Sequence, residues 1–471
     1  MKDFLLFTRL KKFSNESIHT LKLGIPLIIA QLLQVMMQFV DTVMVGHVSS
    51  KDLAGLAIAT ALFHPVFLLM LGILFGLSSI IAQLHGAKKP SEIVANVIQA
   101  LWLSQVLALI SILVLANPEP ILYWMDYEKE VIRVAGEYLR ALCWGIPAVY
   151  AYIVLRMFSE GLSITRPTMY LALAGLGVNI VSNYALIFGH FGFPALGAVG
   201  AGWTTSFVHY VMFIVMLAFC LKASRFEIYR KFIVYSRPLW LYLREILRIG
   251  LPSGLSIAAE TSMFAMVSLL IGTFGATAMS GHQIAINIAS VTFMVPLGLS
   301  IAISIRVGQA KGSGNNPSAR FIGFAGILLC IMVMTATASI FILVPEFIVG
   351  LYTDDLNVRI LAIQLLFMAA LFQLSDGMQV GALGALRGLK DTRVPFITNV
   401  VSYWCIGLPL AYLVGVHFQV GPIGMWVGLI VGLSTAAVLH CWRFRILTSR
   451  LLNLTHHEIP AEDQNLKLVH D

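Results

Sequence analysis

The chain has 471 residues, of which 58% are hydrophobic and only 11% charged, and its formal net charge is +8. A soluble globular chain carries about 25% charge, so this composition excludes an ordinary soluble enzyme, which could not cover its surface. The abundance of Leu, Ile, Val and Phe excludes a disordered chain, and the expectation is an all-α polytopic membrane protein.

Twelve apolar segments follow one another: 18–45, 53–81, 93–116, 131–156, 168–189 and 196–220, then 244–271, 278–305, 318–341, 357–384, 395–415 and 421–442. Each is long enough to cross a hydrocarbon core of ~30 Å as a helix. None shows the short alternating segments of a membrane barrel. No cleavable signal is expected ahead of the first segment, which is expected to serve as its own insertion signal.

Basic residues gather on one side of the alternating loops. With the N-terminus placed inside, that side collects Lys88, Lys89, Arg156, Arg166, the linker residues Lys222 to Arg248, Arg306, Lys311, Arg387, Lys390 and Arg393. The other side holds only Lys51, Lys129, Arg133 and Arg359, beside acids such as Asp126 and Glu130. This bias predicts cytoplasmic termini. It also accounts for the positive charge without nucleic acid, for which no binding motif is present. The five cysteines lack CxxC spacing and read as buried thiols. There is no HExxH and no Walker A pattern, so neither a metal cofactor nor ATP hydrolysis is expected.

The chain repeats itself at a nearly constant offset. LKLGIPLIIA at 21–30 matches LRIGLPSGLS at 247–256, and Thr165-Arg166-Pro167 matches Thr392-Arg393-Val394-Pro395. The Gly-rich stretches 194–202 and 421–428 match as well. Two homologous six-helix lobes follow, in the same orientation, with a central cleft between them. The division is residues 1–17 as a cytoplasmic segment, 18–221 as the first lobe, 222–240 as a basic linker, 241–447 as the second lobe and 448–471 as a cytoplasmic tail.

A carboxylate in hydrocarbon is costly unless it is paired or functional. Three stand within the spans: Asp41 in the first, Glu260 in the seventh and Asp376 in the tenth. No basic residue is expected in the middle of any span to pair with them. Burial and a neighbouring acid favour proton uptake by such a group, while two carboxylates with hydroxyl and backbone oxygens also suit sodium. Glu260 and Asp376 share one half, so they are not expected to form one cluster with Asp41. Asn179 and Asn183, one helical turn apart, and Thr204 beside Thr205 are candidate partners for Asp41. Gln34, Met37, Gln283 and Asn287 are candidates to line the cleft. Met surfaces accommodate varied apolar ligands.

These segments resemble a known family. MQFVDTVMVGHVS with LAGLAIA, GLPSGLSIAAE at 250–260 and GALRGLKDTRVP at 384–395 are similar to the signatures of multidrug and toxic compound extrusion (MATE) transporters, in their bacterial NorM-like branch. The resemblance spans about 15–447. It implies a non-enzymatic, monomeric antiporter of a bacterial inner membrane, with no cofactor. Such a protein expels cationic, often aromatic drugs against sodium or protons. It further implies a second-lobe cation site at Glu260 and Asp376 and a first-lobe site at Asp41 with Asn179 and Asn183. Where some sodium-coupled relatives carry a Tyr one turn before the second-lobe Asp, this chain has Phe372, a further cavity candidate. Two other readings compete: a flippase or exporter of a lipid-linked precursor, which would call for a more basic cavity, and a channel.

Overall fold

The computed structural model describes residues 2–124, 127–234 and 236–457, with side chains between 11 and 453. Asp126 and the predicted tail beyond 457 lie outside the described residues. The chain folds into long helices: α1 (Lys2–Gly46), α2 (Ser50–Gly86), α3 (Pro90–Leu115), α4 (Lys129–Cys143 with Ile146–Gly161), α5 (Arg166–Phe188) and α6 (Ala198–Lys222). The second set is α7 (Trp240–Gly272), α8 (Ala276–Gly312), α9 (Asn316–Leu343), α10 (Leu356–Gly388), α11 (Arg393–His417) and α12 (Pro422–His457). Eleven are long and apolar enough to cross a membrane, and the bent pair in α4 makes the twelfth. Large apolar side chains such as Leu113, Val181, Leu269 and Leu343 remain exposed on the outer faces, as a hydrocarbon solvent allows.

Local chemistry sets the ends. Ser49 accepts from the Asp52 amide at 3.0 Å and Asp355 accepts from the Asn357 amide at 2.9 Å, supplying partners for first-turn donors of α2 and α10. Gly189 closes α5 with a left-handed φ of 78°. The two segments of α4 meet at a 47° bend, with Pro147 in the first turn of the second. In α11 the turns widen to π geometry over Val401–Gly407 and Leu413–His417.

The backbone carries the repeat as well. Residues with left-handed φ recur at matching turns: Ser163 (63°) and Lys390 (61°) before α5 and α11, then Phe191 and Gln419 (both 58°) before α6 and α12.

The expected boundaries differ at three places. Residues 2–46 form one helix, so no break separates a segment 1–17 from the first span. The fourth span runs on to Gly161 rather than stopping at 156. The linker is docked rather than free: Phe226 is buried against Phe158 and Phe219. Gln99 on α3 accepts from the Leu239 amide at 2.7 Å and donates to the Arg237 carbonyl at 3.0 Å.

The lobes are tied together at one end. The N-terminal half of α7 crosses α2 where glycines face glycines: a Cβ on Gly76 would stand 3.0 Å from the Gly250 nitrogen. Gln83 on α2 donates to the Gly388 carbonyl at 2.8 Å, and Gln309 on α8 donates to the Gly161 carbonyl at 3.0 Å. Arg306 pairs with Glu16 at 2.8 Å, and Arg387 lies over the Phe75 ring. These contacts lie near the N-termini of α1 and α7 and the C-termini of α2, α4, α8 and α10. Towards the other end, α1 turns Met36, Phe39 and Val43 outward as exposed residues.

Candidate functional site

In the first lobe, α1 carries Asp41 into a nest built by α5 and α6. Asn179 and Asn183, one turn apart on α5, both donate to Asp41 Oδ1, at 2.9 Å and 2.6 Å. The Thr205 hydroxyl reaches Oδ2 at 3.5 Å. Thr204, the residue singled out from the sequence, points elsewhere, and its buried hydroxyl has no partner among the described residues. One residue along a helix turns the side chain by about 100°, which decides between the two threonines. Asn183 Oδ1 is likewise buried without a partner.

Asp41 stands at the wall of a cavity of about 220 Å³. Gln34, Met37 and Asn179 line it, with Phe63 and Phe67 as aromatic walls. Those two rings stack at 5.2 Å between centroids. A carboxylate beside aromatic faces suits a cation that is partly apolar.

The cavity also holds a basic residue, Arg156, which the sequence places with the inside loop charges. Arg156 is buried in the lower part of α4 and its Nε donates to Glu160 Oε1 at 2.6 Å. Nη2 donates to Gln31 at 3.0 Å. Arg156 therefore does not belong with the loop charges. Glu160, fully buried, is a fourth intramembrane acid that the sequence reading passed over. Arg156 and Glu160 are spaced i,i+4, a signal that a span drawn only to 156 leaves out. Four histidines, at 64, 209, 282 and 440, also sit inside helices. At the other end of α4, Glu137 pairs with Arg133, and Arg140 with Glu119.

In the second lobe, α7 brings Glu260 and α10 brings Asp376 into each other's electrostatic field. Asp376 is 3% exposed, while Glu260 is half-buried. Among the described residues neither has a basic partner, and no third His, Cys, Asp or Glu completes a cluster with them. Gln379, one turn beyond Asp376, is a side-chain partner of Glu260. Its Nε2 donates to the Tyr403 hydroxyl at 2.9 Å. Tyr403 stands on the first π segment of α11, near both acids. Among the described residues Gln379 Oε1 is buried without a partner. Carboxylates, an amide oxygen and a hydroxyl form a hard-oxygen set of the kind that alkali and alkaline-earth cations prefer.

Phe372 packs edge-on against Phe264 and Trp426 in the second-lobe core, away from a cavity wall. The hydroxyl near the two acids comes from Tyr403 on another helix. Gln283 and Asn287 are exposed on one face of α8, outside the 220 Å³ cavity, and Asn287 accepts from Tyr352 at 3.0 Å.

The family model MatE matches residues 26–185 and 252–413, one stretch in each lobe. The multidrug resistance protein PmpM of Pseudomonas aeruginosa is 41% identical, over 94% of this chain and 94% of its own. The multidrug resistance protein MdtK of Edwardsiella ictaluri is 39% identical, over 93% and 97%. The multidrug resistance protein NorM of Photobacterium profundum is 38% identical, over 92% and 96%. Among solved structures, the eukaryotic MATE transporter AtDTX14 superposes with a TM-score of 0.84 at 21% identity, covering 93% of this chain and 99% of that one. An outward-facing MATE family transporter superposes equally well at 22% identity, covering 93% and 97%.

Proposed function

The chain belongs to the MATE family, and from that premise we propose that it is a secondary active antiporter exporting cationic, often aromatic compounds in exchange for sodium or protons. It is a transporter and not an enzyme, embedded in the membrane as a multi-pass protein. The observation that carries the exchange is the pair Glu260 and Asp376, held inside the second lobe with no basic partner among the described residues. Two facing carboxylates repel until a cation or proton joins them. The coupling ion is therefore a transported substrate, taken up where the protein itself lacks the balancing charge.

Asp41 and the aromatic cavity beside it are the site for the organic cation. Transport then needs only that ion and drug favour different arrangements of the same two lobes. The lobe contacts at one end are the element that would break and re-form. With both termini cytoplasmic, as the loop charges support, the tied end faces the cytoplasm of a bacterial inner membrane and the cleft faces outward. The working unit is a single chain.

The test is drug efflux from reconstituted vesicles, with sodium and proton gradients imposed separately. Efflux under at least one gradient, and none without either, is the expected outcome. Equal efflux with no gradient would reject antiport.

A further inference from the structure

Orientation explains why arginines lie beside the spans, but not why three of them line one groove. Along α7, Trp240, Arg244, Leu247, Arg248 and Leu251 recur at helical spacing on one face. With Arg393, at the start of α11, they enclose an open groove of about 410 Å³. Among the described residues none of these three guanidinium groups has an ion-pair or hydrogen-bond partner. The nearby acids are engaged elsewhere: Glu245 with Lys390 at 2.7 Å, and Asp391 with Arg443 at 2.7 Å. Three uncompensated positive charges therefore share one space.

Along both helices, away from the charges, the walls turn apolar. Leu251 and Leu255 on α7 are exposed, and so are Ile397 and Val401 on α11. Trp240, 68% exposed at the mouth, is the residue type that settles at the headgroup level of a bilayer. A charged rim that continues into an apolar wall matches neither a free anion nor a soluble partner. Basic pockets between membrane helices bind anionic lipid headgroups.

We propose that this groove is a binding site for an anionic phospholipid, its phosphate held by Arg244, Arg248 and Arg393 and an acyl chain lying against Leu251 and Ile397. The lipid bridges α7 and α11, the helices that carry Glu260 and Tyr403. Those helices are already joined along their length: Asn399 donates to the Ser256 hydroxyl at 2.6 Å, and the Trp404 indole donates to the Ala259 carbonyl at 3.2 Å. A lipid clamp at their starts therefore stabilises the wall of the second-lobe site. The repeat supplies an internal control, because Ile18, Lys22 and Arg166 occupy the positions matching Arg244, Arg248 and Arg393. The first lobe has two charges where the second has three.

The experiment uses the full-length protein in neutral detergent. Retention of phosphatidylglycerol against phosphatidylcholine is read by native mass spectrometry, and the thermal midpoint is read with each lipid and with inorganic phosphate. The wild type should prefer phosphatidylglycerol, and its midpoint should rise with that lipid but not with phosphate. Each Arg→Gln change at 244, 248 or 393 should weaken retention about fivefold. The triple variant should lose the preference while keeping its midpoint in phosphatidylcholine. If the triple variant does not fold, Arg244→Gln and Arg248→Gln alone carry the test. Undiminished retention in these variants would overturn the proposal. So would an equal loss in Lys22→Gln/Arg166→Gln, or the same midpoint rise with phosphate alone.

Discussion

In the first lobe Asp41 stands alone among donors, with two asparagine amides on one carboxylate oxygen and a threonine hydroxyl near the other. In the second lobe Glu260 and Asp376 stand in each other's field, with Gln379 as a shared neighbour and no such ring of donors. Hydrogen bonds to a carboxylate stabilise its charged form, whereas a second carboxylate does the opposite. The first arrangement holds one acid among donors at a cavity wall. The second keeps a place for positive charge that only an arriving ion or proton supplies. The proposed division of labour between drug and ion rests on that difference.

The largest effect should come from removing the repulsion. Glu260→Gln and Asp376→Asn each leave a site that no longer needs a cation. Ion-driven drug efflux from vesicles should fall by about a hundredfold, the upper range of coupling between sites, with binding of the drug in detergent largely kept. If both variants export as well as the wild type, the second-lobe acids do not couple.

A stability test addresses the first lobe next. Its own arginine would spoil the proposed cation site if Glu160 did not hold it. Arg156→Ala leaves Glu160 buried and unpaired and should cost about 3–5 kcal/mol in thermal or denaturant unfolding. The double change Arg156→Met/Glu160→Leu should recover most of that loss. Glu160→Gln should also release positive charge towards the cavity and weaken cationic drug binding more than binding of a neutral analogue. Equal weakening of both would sever Glu160 from the electrostatics of the site.

A smaller effect is expected for Asn183→Ala, which removes the 2.6 Å bond to Asp41. A hydrogen bond to a charged group is worth about 1.5–3 kcal/mol, so binding of a fluorescent cationic drug should weaken by tenfold or more. Thr204→Val should leave binding unchanged, because that hydroxyl does not reach Asp41. Phe372→Tyr should be the mildest. It places a hydroxyl in an aromatic core and should cost about 1–3 kcal/mol of stability without raising sodium affinity, since Tyr403 already supplies a hydroxyl near the acids.

Hydropathy made the twelve spans legible because each must bury its backbone in hydrocarbon. The repeat was legible at Gly24/Gly250 and Pro26/Pro252, where the same close crossing is needed twice. Asn179 and Asn183 could be paired by helical spacing, but the choice of Thr205 over Thr204 depends on the rotation of α6 about its axis, which composition does not set. Gln379 lay one turn from Asp376 and was within reach of the same reasoning. Tyr403 was not, because it reaches the acids from a separate helix through a π turn. A fourth span drawn to 156 stops one turn short of Glu160, although a buried pair of opposite charges lets the helix continue inside the membrane.

The central claim is that drug and ion move in opposite directions through sites in separate lobes. The direct measurement is ion movement evoked by a drug. Vesicles holding the protein are given a cationic drug on one side, with no imposed gradient, and the flux of labelled sodium and of protons is followed. Wild type should answer the drug gradient with an opposing ion flux, and Glu260→Gln/Asp376→Asn should show none. Ion flux that is independent of drug, or that persists in the double variant, would contradict the account.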